Sequence, residues 1–133
     1  MVIRNCLRVL LVLWAGSLWS LAAWVAPTLF YAQADRHLAG VLAARLFAIE
    51  TYVGLGVALL AVLLPGRTKF RWGYLAAMLL SINEWVLKPI MLRAQADGVV
   101  AGLSFGAWHG VSAVVYILAC LAMVVLFWKQ SFR

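Results

Sequence analysis

Four apolar stretches constrain this chain more than any other feature, because each is near the ~20 residues an α-helix needs to cross the hydrocarbon layer of a bilayer. They cover about residues 6–26, 38–64, 70–91 and 104–128 of a 133-residue chain. The segments between them are too short to hold a soluble domain. Only 11% of the residues are charged and 67% are hydrophobic, where a soluble domain carries about a quarter charged. Such a chain cannot cover a water-facing surface. The expected fold is all-α: a polytopic membrane protein with four transmembrane helices in an up-down bundle, forming one membrane domain over residues 1–133.

The start of the chain, "MVIRNCLRVLLVLWAGSLWSLAA", has the outline of a signal peptide: a basic end, an apolar run and small residues at Ala22 and Ala23. The run is long, however, and continues through Trp24 to Pro27, which favours a retained first helix. The net charge of +7 is unevenly placed. Arg4, Arg8, Arg67, Lys69, Arg71, Lys129 and Arg133 flank the chain ends and the middle connection, against only Arg36 and Arg93 in the other two connections. By the positive-inside rule this puts both termini and the middle loop in the cytoplasm, with the bacterial inner membrane as the expected location. These cations are topology signals that also suit anionic lipid headgroups, and nucleic acid is not an expected partner. Cys6 and Cys120 read as small apolar fillers, without the spacing of a metal motif.

The tetrapeptide "AQAD" occurs twice, at 32–35 and 94–97, an offset of 62 residues. Pro27 and Pro89, and Gly40 and Gly102, keep the same offset, while the two Trp-Val pairs at Trp24 and Trp85 are one residue out of register. Each copy follows an outward helix and precedes an inward one. The halves therefore read as two helical hairpins in a parallel repeat, whose similarity fades beyond Gly40 and Gly102. The two prolines are expected to stop or kink the first and third helices.

Ionisable groups inside a span cost a few kcal/mol each on insertion scales and need partners or water. Here they are Arg45 and Glu50 in the second helix, Glu84 and Lys88 in the third and His109 in the fourth. Arg45 and Glu84 lie at matching depths, roughly 10 Å below the outer ends of their helices, and guanidinium suits carboxylate, so they are the expected pair. Glu84 and Lys88 are four apart and share a face as well. In the fourth helix His109, Ser112 and Tyr116 share one face that could meet Glu50, lining a cavity for a polar ligand or a proton relay. A satisfied polar core that only holds the helices together accounts for the same residues. Gly102, Gly106 and Gly110 recur every four residues, a ridge for close helix packing.

A haem would need an axial ligand, and His37 and His109 are the only histidines. Their placement supports neither haem nor another metal, and no cofactor is expected. No nucleophile motif, phosphate loop or paired-cysteine motif occurs, so no enzymatic activity is expected.

"WVAPTLF" at 24–30, "DRHLAG" at 35–40, "RLF" at 45–47 and "FGAWHGVSAVVY" at 105–116 resemble the small bacterial membrane family called domain of unknown function 4149, itself similar to the eukaryotic transmembrane protein 205 group. The resemblance implies a four-helix inner-membrane protein, with Pro27, Phe30, Arg45, Glu84, Pro89, His109 and Ser112 as characteristic positions, and imports no activity. A more distant likeness to copper-resistance and haem-associated four-helix membrane proteins leaves a metal- or haem-binding alternative. Two further readings stand beside it. One is a module that binds or helps to transport a small polar solute or ion, as a homo-oligomer or with a larger partner complex. The other is a structural or accessory subunit of a membrane complex.

Overall fold

The computed structural model describes residues 2–63 and 70–131. The fold is all-α apart from one small hairpin, and four helices are long and apolar enough to cross a membrane: Asn5–Ala32, Arg36–Leu63, Arg71–Asp97 and Phe105–Lys129. Each holds 25 to 28 residues, or about 38–42 Å at 1.5 Å per residue, which exceeds the ~30 Å hydrocarbon core and leaves room for tilt. The chain divides into two compact units, Met1–Phe70 and Arg71–Arg133.

Unit 1 opens with α1 (Val2–Ser20), passes through a π-helical turn (Leu21–Val25) into α2 (Ala26–Ala32), and returns in α3 (Arg36–Leu63). Unit 2 follows the same plan with α4 (Arg71–Ile82), a π turn (Asn83–Leu87) and α5 (Lys88–Asp97). It then inserts strands β1 (Val99–Val100) and β2 (Leu103–Ser104) before α6 (Phe105–Ser131).

The prolines do not end their helices. Proline has no N–H, and its ring clashes with the carbonyl four residues back. Here the preceding turn widens instead: the Ala26 N–H bonds to the Leu21 carbonyl and the Lys88 N–H to the Asn83 carbonyl, five residues back in each case. The helices therefore run on to Ala32 and Asp97, beyond the expected ends near residues 26 and 91. Both π turns and both prolines recur at the offset of 62.

The repeat also runs through the cores, where the sequence similarity had faded. Leu11, Trp14, Ala15 and Leu18 are buried in α1, and Gly73, Ala76, Ala77 and Leu80, each 62 further on, are buried in α4. Gly54, Val57 and Ala61 in α3 match Tyr116, Ala119 and Met123 in α6. Bulk has changed sides. Trp14 and Gly54 in unit 1 correspond to Ala76 and Tyr116 in unit 2. A close-packed interior tolerates such an exchange when the summed volume is kept.

The two "AQAD" copies have different structural roles. In unit 1 the helix ends at Ala32 and Asp35 caps α3, its Oδ1 accepting the N–H groups of His37 at 2.9 Å and Leu38 at 3.2 Å. In unit 2 the whole tetrapeptide stays helical and Gly98, at φ 86°, stops the helix, its N–H bonding to the Ala94 carbonyl at 2.9 Å. The chain then turns through Ala101 and Gly102, both at positive φ, with Val99 opposite Ser104 and Val100 opposite Leu103. Ser104 becomes the cap of α6, accepting the Ala107 N–H at 3.3 Å.

Candidate functional site

Each unit holds one glutamate at the middle of a span. Glu50 is central in Arg36–Leu63 and Glu84 is central in Arg71–Asp97, each about 20 Å from either helix end. Glu84 is therefore deeper than expected, because its helix continues past Met91.

In unit 1 Glu50 is half-buried on the α3 face that carries Ala43, Gly54 and Val57. Its Oε2 accepts a hydrogen bond from the Ser17 hydroxyl at 3.0 Å, and the same hydroxyl lies 2.8 Å from the Trp14 carbonyl. One hydroxyl proton thus serves two acceptors. The Trp14 Nε1, one turn before Ser17, is buried with no hydrogen-bond partner among the described residues. Arg45 is exposed. Five residues from Glu50, it is about 140° round the helix, so it faces away from the α1–α3 core.

Unit 2 gathers its polar groups at the π turn. Lys88 Nζ lies 2.5 Å from Glu84 Oε1, with the glutamate side chain 14% and the lysine 33% exposed. Glu84 is thus paired with Lys88 within its own helix. One residue before it, Asn83 accepts the Ser112 hydroxyl at 2.5 Å and donates its Nδ2 to the Ser112 carbonyl at 3.2 Å. This reciprocal pair ties α6 to the π turn. In the π register the next bond would run from residue 89 to the Glu84 carbonyl, and Pro89 cannot make it. Carboxylate, ammonium, amide, hydroxyl and a carbonyl relieved of its donor therefore share one level of an apolar span.

The expected His109–Ser112–Tyr116 face divides. Tyr116 is buried at 5%, Ser112 is half-buried on Asn83, and His109 is exposed, its ring stacked on Phe105 with centroids 6.0 Å apart. Glu50, the carboxylate expected to meet this face, lies in unit 1, where it accepts the Ser17 hydroxyl.

The glycine ridge is corrected as well. Gly102 lies in the β-turn at φ 78°, outside α6. A Cβ at Gly110 would meet nothing within 4 Å, and one at Gly106 only the Ser104 hydroxyl at 3.9 Å. The glycine that permits close approach is Gly54. Two side chains of these polar pairs, Asn83 and Ser17, are not among the residues singled out from the sequence. Asn83 had a legible signal, as an amide inside an apolar run with only apolar residues three and four positions away, Leu79, Leu80, Val86 and Leu87.

An open groove of about 360 Å³ runs along Trp24, Val25, Thr28, Leu29, Ala32 and Gln33 and takes in none of the expected residues. Among the described residues no three His, Cys, Asp or Glu side chains come together as a metal site.

Four apolar spans with polar pairs closed inside them define a multi-pass helical membrane protein. The chain belongs to the family described as Domain of unknown function (DUF4149), whose model matches residues 9–100. That stretch includes Glu50, Glu84 and Lys88 and ends before His109 and Ser112. No curated protein and no solved structure matches the chain.

Proposed function

We propose that this protein binds a small polar solute or ion at the π turn of unit 2, without catalysis, in the bacterial inner membrane. Both termini and the middle connection face the cytoplasm in this reading, which the distribution of cations supports. The observation that carries it is the Glu84–Lys88 pair kept at mid-span beside a proline-relieved backbone carbonyl. Interrupted helices within a membrane serve as ligand sites because their backbone carbonyls and side chains can replace a solute's water shell. A unit this small works as a homo-oligomer or with a larger complex.

The test is a thermal-shift panel on the purified full chain in detergent, covering monovalent and divalent cations, small carboxylates, amines and zwitterions. At least one class is expected to raise the melting temperature of the wild type and to lose its effect in Glu84→Gln. A flat response across the panel in both proteins would sink the proposal. The second reading is an accessory subunit whose polar pairs only fasten helices, favoured by the reciprocal closure of Asn83 on Ser112.

A further inference from the structure

One end of the second hairpin carries chemistry that the polar pairs do not use. Arg71 is the first residue of the span Arg71–Asp97, and Lys129 is the last of Phe105–Lys129. Both therefore stand at the same end of the two apolar helices of unit 2. Packing of α4 on α6 brings Arg71 Cζ to 5.7 Å and Lys129 Nζ to 5.3 Å from the centroid of the Trp72 ring. Both cations are exposed, and the indole between α4 and α6 is half-buried.

Each cation is drawn to the ring quadrupole, but two like charges on one ring repel each other. Among the described residues of unit 2 no carboxylate lies beside them. The two acids of unit 2 are Glu84, at mid-span on Lys88, and Asp97, at the far end of the same helix. Among the described residues neither Arg71 nor Lys129 forms an ion pair. The described side chains of the hairpin thus leave the two cations open to an anion from outside it. At the end of a span the abundant anions are lipid phosphates, and tryptophan favours the same depth. A guanidinium fork beside an ammonium suits phosphate oxygens.

We propose that Arg71, Trp72 and Lys129 form a binding site for the phosphate of an anionic phospholipid at the headgroup level of the second hairpin. The indole holds the two cations at a fixed spacing, so the site selects a headgroup without needing a carboxylate to organise it.

The full chain in detergent, titrated with phosphatidylglycerol or phosphatidylcholine and read by native mass spectrometry, tests this. The wild type is expected to retain the anionic lipid preferentially. Arg71→Gln and Lys129→Gln should each cut that preference about fivefold, the contribution of one cation at an anionic surface. Lys129→Arg should restore it, and Arg93→Gln, which removes an exposed cation near the other end of the hairpin, should leave it unchanged. Inorganic phosphate at matched ionic strength should not displace the lipid. The proposal is overturned if Arg71→Gln and Lys129→Gln keep the wild-type preference, if Arg93→Gln lowers it equally, or if inorganic phosphate displaces the lipid outright.

Discussion

The Trp14 ring occupies the space that a side chain at residue 54 would need: a Cβ on Gly54 would lie 2.4 Å from Trp14 Cζ2. Trp14 is 2% exposed, so the ring has nowhere to retreat. Gly54→Ala is expected to destabilise the protein by about 1–3 kcal/mol, the usual cost of overpacking. Pairing it with Trp14→Phe should recover part of the loss. Unfolding of both variants in mixed micelles measures this, and an unaffected Gly54→Ala would show that the α1–α3 contact is loose.

Asn83 and Ser112 exchange two hydrogen bonds, so their deletions should not be equal. Asn83→Ala removes both bonds, while Ser112→Ala removes only the one from the hydroxyl. With about 0.6 kcal/mol per interhelical bond in a membrane, and about 1.7 at most, Asn83→Ala should cost roughly twice as much. A double-mutant cycle checks the coupling. Additive losses would mean that the pair does not act as a unit.

The Glu84–Lys88 pair should show the asymmetry of an interior ion pair. Removing one partner strands the other charge in hydrocarbon, so Glu84→Gln or Lys88→Met alone should destabilise by about 1–3 kcal/mol. That is below the loss for a fully buried pair, because Lys88 is one-third exposed and partly screened. The double variant Glu84→Gln/Lys88→Met should lie closer to wild type than either single one. Equal or larger loss in the double variant, read by the same unfolding assay, would contradict the pairing.

The turn between β1 and β2 puts Ala101 at φ 50° and Gly102 at φ 78°. Non-glycine residues pay about 1–2 kcal/mol in this region. Gly102→Val should therefore destabilise the hairpin, while Ala101→Gly should be neutral or stabilising by up to about 1 kcal/mol. Amide hydrogen exchange at Val99–Ser104 reads both. The ladder is short, and the Trp108 Nε1 bond to the Val100 carbonyl at 3.0 Å ties it to α6 and should report the same change.

Much of this architecture is legible along the chain. The spans, the offset of 62 and the two proline sites follow from local patterns that require no knowledge of neighbours. The helix ends were misplaced because Pro27 and Pro89 were expected to stop or kink their helices, whereas a π turn absorbs each one. The repeat faded in sequence at the core because Trp14 and Gly54 traded bulk with Ala76 and Tyr116. Residue identity changed there while position did not.

The polar site was legible in its members and not in its pairings. Depth along a helix can be counted from the sequence, so Glu50 and Glu84 stood out as interior charges. Which group each one meets depends on how the helices are rotated about their axes. Rotation put Glu50 on Ser17, Ser112 on Asn83 and Arg45 away from the α1–α3 contact. The sequence by itself determined four apolar spans in two related halves, because hydropathy and repeat offset are summed along the chain. Only the tertiary structure decided the partners, because a side chain's contacts are set by the faces that packing turns together.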